Sequence, residues 1–239
     1  LMSRELAGSS ITRIISTVKA IFNFAILEHS LNIDNQFVGL NYDRGKGVGV
    51  RLPIPPQDIQ AIQKRCVEID DDLRWLIALV SDTGMRLAEA TGLLVEDINL
   101  DVDIAFVSLK SHPWRPLKTE GSRRDIPLVG QSLWSAKRIK AMAQSKFAFP
   151  RYNTASVTST NSASATLNKW LKSKGLGLYT MHSFRHSLRD RLRNVNCPSE
   201  VVDQIGGWSN KTVGQRYGSG FPLNELNKWM GYTNFTNKL

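Results

Sequence analysis

Four stretches of this 239-residue chain carry residues whose types and spacing could handle a phosphate. In Thr83-Gly84-Met85-Arg86-Leu87-Ala88-Glu89-Ala90, Gly84 permits a tight turn between helices, and Arg86 lies one helical turn before Glu89. Glu89 could hold the guanidinium in place for an anion, although an Arg–Glu pair at this spacing is often only a surface ion pair worth little. In Thr180-Met181-His182-Ser183-Phe184-Arg185-His186, Thr180 reads as an N-cap. His182 and Arg185 then share the first turn, where free N–H groups and the macrodipole favour anions. A His-x-x-Arg by itself also occurs widely by chance. Lys118 stands in Leu117-Lys118-Thr119-Glu120-Gly121-Ser122-Arg123-Arg124, which reads as a hairpin, and a lysine at such a turn is commonly just solvated. Lastly, Gly206-Gly207-Trp208 is followed nine residues after Trp208 by Tyr217, in Gln215-Arg216-Tyr217-Gly218. Tyr217 sits in a polar stretch rather than an apolar stripe. Trp208 can be plain core or an indole N–H donor.

These side chains need elements to position them. Ile11, Ile14, Ile15, Val18, Ile21, Phe22 and Ala25 recur at three- and four-residue intervals, which predicts an amphipathic helix over 11–28 capped by Ser9 or Ser10. One helix cannot hide its apolar face alone, so it must pack on the following domain or on something outside the chain. Residues 41–56 have linker composition: Gly45, Gly47 and Gly49 precede Pro53, Pro55 and Pro56, with Arg44, Lys46 and Arg51 between. Beyond Pro56 the periodicity predicts helices over 57–69, 71–82, 86–95, 132–144, 162–174, 181–195, 199–207 and 223–231. Between about 103 and 129 the period drops to two. That gives strands at 104–109 and 124–128, a short strand at 115–119 and a turn at Glu120-Gly121. The Ser-, Thr- and Asn-rich segment 153–165 reads as a surface loop. The expected fold class is mainly α with a small antiparallel β-sheet (α+β), with residues 1–40, a linker at 41–56 and a domain at 57–239.

Composition narrows the function classes. With 31 Lys+Arg against 21 Asp+Glu the net charge is +10, which points to a polyanionic partner, nucleic acid first. A basic surface that only aids solubility is the plainer account. A 41% hydrophobic content excludes wholesale disorder, and at about 150 residues per domain the length suits one large domain plus a fragment. The longest unbroken apolar run, Trp75 to Val80, is far short of a bilayer span, and Leu1 to Ser10 carries no signal-peptide core, so no membrane partner is expected. Cys66 and Cys197 match neither a zinc spacing nor a disulfide framework, so a reduced cytoplasmic, nucleoid-associated setting is expected. The chain opens on Leu1 instead of a start methionine, which suggests part of a longer protein.

In order along the chain, Arg86 with Glu89, Lys118, His182 with Arg185, Trp208 and Tyr217 resemble the catalytic set of the tyrosine recombinase (phage integrase) family. Trp208 and Tyr217 lie 23 and 32 residues after Arg185, as in Xer-type members, and Lys-x-x-x-Ser-Arg-Arg-x-Ile-Pro-Leu resembles the family's hairpin. The resemblance covers residues 50–232, and the helix at 11–28 resembles the last helix of the family's core-binding domain. Two departures stand out. Trp208 replaces the commoner histidine, and Ser111-His112-Pro113-Trp114-Arg115-Pro116 lengthens the first turn, which makes Lys110 the alternative to Lys118.

The resemblance implies a reaction. Tyr217 would attack a backbone phosphodiester, form a 3′-phosphotyrosyl link and release a 5′-hydroxyl; a second 5′-hydroxyl would then rejoin the strands. A phenol of pKa about 10 is roughly 0.1% ionised at neutral pH, so it needs help, with His182 the candidate general base. Arg86 and Arg185 would spread the charge of the transition state, Lys118 would protonate the leaving oxygen, Trp208 would add a donor and Glu89 would support. No metal or cofactor is implied. The implied partner is double-stranded DNA, bound by a homotetramer, with a monomer in isolation as the alternative, in integration or excision of a mobile element. Candidate phosphate contacts are Arg44, Lys46, Arg123, Arg124, Arg189, Arg191, Arg193 and Lys211. The last helix, with Leu223, Leu226, Trp229 and Met230, would dock on a neighbouring subunit or on its own domain. The competing readings are a type IB topoisomerase and a catalytically silent DNA-binding protein.

Overall fold

The computed structural model describes residues 6–47, 49, 52–118, 122–208 and 220–235. The chain divides into two compact units, Leu1–Val50 and Arg51–Leu239.

In the first unit, α1 runs from Gly8 to Glu28. Its N-cap is Ala7, not Ser9 or Ser10, because the Lys46 carbonyl takes the Gly8 N–H at 2.7 Å and the helix therefore begins ahead of both serines. The chain after the helix folds back over one side of it. Asn35 Nδ2 donates to the Lys19 carbonyl at 2.9 Å and to Asn23 Oδ1 at 2.6 Å, and the Phe37 ring sits 4.8 Å from that of Phe22. Ile21, Phe24 and Leu27 stay exposed. By length and composition α1 is apolar enough to cross a membrane, which the count of unbroken runs misses because Arg13, Lys19 and Asn23 interrupt it.

The second unit is built around α3 (Asp72–Thr83). Its stretch from Leu76 to Val80 is apolar on every side, and everything from Leu76 to Thr83 is buried. It packs against α2 (Pro56–Ile69), α5 (Gly130–Ala141) and α7 (Met181–Asn194). At its start, Asp71 accepts the Arg74 N–H at 3.0 Å. At its end, a buried polar network ties the layers together. Asp82 takes Gln63 Nε2 of α2 at 3.0 Å, the Gln131 N–H of α5 at 2.9 Å and Arg191 Nη1 of α7 at 3.0 Å.

The helix expected over 86–95 stops early. α4 covers Leu87–Thr91 only, since the chain then leaves to pair with another segment: the Leu93 carbonyl takes the Ala148 N–H at 2.9 Å and the Val95 N–H reaches the Lys146 carbonyl at 2.9 Å. A three-stranded antiparallel sheet follows, β1 (Ile98–Asn99), β2 (Phe106–Leu109) and β3 (Arg124–Pro127), in that spatial order. β1 is a strand the periodicity does not reveal, being two residues long. The strand expected at 115–119 is absent among the described residues. His112 and Arg115 instead close a tight turn through reciprocal backbone bonds of 3.1 and 3.0 Å. Turn residues Glu120 and Gly121 lie outside the described residues.

α6 (Thr160–Ser173), α8 (Ser199–Gly206) and α9 (Leu223–Tyr232) complete the unit. α9 buries Leu226 and Met230 against β3 and α7, so this helix packs on its own unit. Cys66 and Cys197 are free and buried, and burial pushes their thiols up to about 12 and about 11.

Candidate active site

Helix α8 ends in three carbonyls that each take a guanidinium from a different part of the unit. The Ile205 carbonyl accepts Arg124 Nε at 2.9 Å, the Gly206 carbonyl accepts Arg185 Nη2 at 2.5 Å, and the Gly207 carbonyl faces Arg86 Nη2 at 3.5 Å. The C-terminus of a helix carries partial negative charge, so it suits cations that would otherwise repel one another. The sequence permits this end because Gly207 has φ +62°, and a Cβ there would lie 2.7 Å from Arg124 Nη1.

Each arginine is fixed from a second side. Arg185, the fifth residue of α7, also donates Nη1 to the Gly84 carbonyl at 2.9 Å. That carbonyl is available because Gly84 ends α3 at φ +59°, where an added Cβ would meet Leu188 of α7 at 2.6 Å. Arg86 donates Nη1 to Glu89 Oε1 at 2.5 Å and to Ser122 Oγ at 3.2 Å, while its backbone N–H reaches Glu89 Oε2 at 2.9 Å. Arg124 Nη2 reaches the same Oε2 at 3.0 Å. Burial alone would raise the Glu89 pKa, but Arg124 and Arg86 outweigh it and hold the carboxyl below the usual range. Burial, followed by the charges of Arg124 and Arg86, lowers Arg185 to about 9, which leaves it cationic at neutral pH.

Trp208 lies against this group by its ring face. The Arg185 guanidinium is 4.3 Å from the ring centroid and that of Arg189 is 5.1 Å away, while the Trp208 backbone N–H is held by the Asp203 carbonyl at 2.9 Å. His182 is half-buried in the first turn of α7, its ring 5.1 Å from His186. Lys118 is exposed on the connection between β2 and β3. Lys110, the alternative, faces Asp97 Oδ1 at 3.2 Å and Glu96 at 3.8 Å, so its charge is already engaged. Tyr217 and Lys211 lie outside the described residues.

Two of the expected DNA contacts are corrected. Arg124 is buried on the inner face of β3, and Arg191 is buried on α7 against Asp82 and the Ser81 carbonyl; neither presents its charge to a phosphate backbone. Arg44, Lys46, Arg123 and Arg193 are exposed, and Arg189 is half-buried beside Asp203 at 3.6 Å. The sequence reading also missed Ser122 and Arg115. Arg115 is buried beside Gly92, and its three side-chain nitrogens have no hydrogen-bond partner among the described residues. No group of three His, Cys, Asp or Glu side chains that could hold a metal occurs among the described residues.

The helical unit with its three-stranded sheet thus brings two unlike arginine motifs together at one helix end, an arrangement suited to an anion. The model of the phage integrase family matches residues 54–235, more than half the chain. This chain belongs to the phage integrase family of tyrosine-type site-specific recombinases. Solved structures with the same fold include the Tn1549 transposon integrase in complex with circular intermediate DNA, at TM-score 0.69 and 17% identity over 96% of this chain and 80% of that one. A lambda integrase dimer bound to a COC′ core site matches at TM-score 0.61 and 18% identity, over 90% of this chain and 61% of that one. The integrase from mycobacterium phage Brujita matches at 0.59 and 16%, over 92% and 70%. No curated protein matches the chain.

Proposed function

We propose that this chain cleaves and rejoins duplex DNA through a 3′-phosphotyrosyl intermediate on Tyr217, in the integration or excision of a mobile element. The observation that carries the reading is the meeting of Arg86 and Arg185 on the carbonyls of Gly207 and Gly206, with Glu89 behind Arg86. Two cations held at fixed points cost little reorganisation when a phosphate gains charge, the arrangement that stabilises a phosphoryl transition state most.

The steps of this reading are those the resemblance to tyrosine recombinases implies. The Tyr217 phenol oxygen bonds to phosphorus as its proton passes to His182, and the bond from phosphorus to the 5′-oxygen breaks. Lys118 gives that oxygen a proton, a task an arginine performs poorly because its pKa is too high. In the return step a 5′-hydroxyl attacks the phosphotyrosyl link and Tyr217 leaves with a proton. Trp208 braces Arg185 through its ring face, and Glu89 holds Arg86.

DNA is the partner, as it is for the Tn1549 and lambda integrases in the complexes above. Exposed Arg44, Lys46 and Arg123, half-buried Arg189, and Lys211 are the phosphate contacts of this reading, and residues 1–40 are its share of a core-binding domain joined by 41–56 to the catalytic domain at 57–239. The working assembly is a homotetramer on DNA; a lambda integrase tetramer bound to a Holliday junction shares the fold. Its place in the cell is the nucleoid. The topoisomerase reading is not favoured, because the family match and the structural neighbours are integrases. The test is a duplex carrying the element's core site and nicked so that the released strand is lost. Wild type should accumulate a covalent protein–DNA adduct and Tyr217→Phe should give none. Absence of adduct from both sinks the reading, and robust relaxation of plasmids without a core site would restore the topoisomerase.

A further inference from the structure

We propose that Arg124 is a positioning residue for strand cleavage: from the buried face of β3 its guanidinium fixes the Glu89 carboxylate and, through it, the aim of Arg86. The proposal rests on the recombinase reading. Like Arg86, Arg124 bonds to the end of α8, to Ser122 and to Glu89, but unlike Arg86 it does so from the buried side. It donates Nε to the Ile205 carbonyl of α8 at 2.9 Å, Nη1 to the Ser122 carbonyl at 2.8 Å and Nη2 to Glu89 Oε2 at 3.0 Å. Its side chain is 4% exposed, so it cannot itself meet a DNA backbone.

The division of Glu89's oxygens gives the contact its meaning. Oε2 is taken by Arg124 and by the Arg86 backbone N–H, which sets the plane of the carboxylate and leaves Oε1 pointing at Arg86 Nη1. Without Arg124 one lone-pair direction of Oε2 is free and the carboxylate can turn. The position itself is unusual for a cation. β3 alternates inward and outward, and Arg124 shares the inner face with Ile126, opposite Leu109, where an aliphatic side chain would bury at no desolvation cost. A lysine would bring the charge but not the three-way fork.

The charged groups facing Glu89 are Arg86 ahead of α4, Arg124 from β3, Arg115 from the connection between β2 and β3, and Arg185 from α7. Arg124 is the strongest of those holding the carboxyl ionised. Removing it should therefore let Glu89 protonate at higher pH.

Single-turnover cleavage of the nicked duplex by the full chain, measured across pH, tests this. Arg124→Gln should lower the rate about 10- to 100-fold at neutral pH, the size expected when a catalytic group is misplaced by about 1 Å. DNA affinity should stay within about twofold, since the group meets no phosphate. The acid limb of the pH profile should move up. Arg124→Lys should recover the limb better than the rate. An unchanged rate and limb overturns the proposal. So does a rate loss matched by lost DNA affinity, a smaller active fraction with an unmoved limb, full rescue by lysine, or failure of both variants to fold, which would make Arg124 a residue of the fold alone. Adduct formation by wild type reports on the recombinase reading and the variants report on Arg124, so the two fail separately.

Discussion

At the residue scale, Trp208 separates two roles that look alike in sequence. Its ring meets Arg185 and Arg189, a contact worth about 0.5–2 kcal/mol. Trp208→Phe, which keeps a ring but no N–H, should therefore retain cleavage within about threefold, while Trp208→Ala should lose about tenfold. Equal losses in single-turnover assays would assign the role to the indole N–H. Glu89 makes a second residue-scale prediction. Its folded pKa is depressed, so the stability it contributes is complete above the unfolded value of about 4.3 and is lost as pH falls through the lower folded value. Thermal melts at descending pH should show wild type losing ground to Glu89→Gln in that acid window; parallel curves would mean that the carboxylate is not held ionised by its arginines. Of the ordered set Arg86, Lys118, His182, Arg185, Trp208 and Tyr217 that the sequence suggests, the structure brings Arg86, Arg185 and Trp208 together at the end of α8, while Tyr217 lies outside the described residues. Arg124 was misread because charge was taken as exposure, although its alternation with Asp125 on β3 already put it on the face of Ile126.

At the element scale, long periodic helices were legible and short elements were not. α2, α3 and α7 start and stop within a residue or two of their periodic patterns. The early end of α4 escaped because pairing of Leu93 to Val95 with Lys146 to Ala148 depends on residues about fifty positions away, which no local pattern encodes, and β1 escaped because two residues are too few to show a period. Arg191 shows the cost of ignoring helical spacing: it lies seven residues after Phe184, on the buried stripe with Leu188. Arg191→Ala should strand Asp82 and destabilise the unit by about 3–5 kcal/mol, whereas exposed Arg193→Ala should change stability by less than about 0.5 kcal/mol. Urea unfolding decides it, and similar small effects would return Arg191 to the list of DNA contacts. The junction of α3 and Arg185 is equally specific. Gly84→Ala must place a Cβ at positive φ against Leu188, so it should cost at least about 1–3 kcal/mol and weaken cleavage through Arg185.

At the scale of the whole molecule, the net charge of +10 divides into two populations. Arg86, Arg124, Arg185 and Arg191 are held by carboxylates and carbonyls inside the second unit, and the proposed function assigns exposed basic residues to the DNA backbone. Composition showed the excess but not this division, which depends on which side of each element a residue falls. DNA affinity should accordingly drop steeply with salt. Arg123→Ala should lower the salt slope by about one, with no effect on the rate of a bound complex. The central claim, that Tyr217 carries the DNA during the reaction, is tested most directly by digesting the trapped adduct with nuclease and protease and sequencing the modified peptide by mass spectrometry. The account predicts a nucleotide joined through its 3′-phosphate to Tyr217. A nucleotide on any other residue, or a link through a 5′-phosphate, would contradict it.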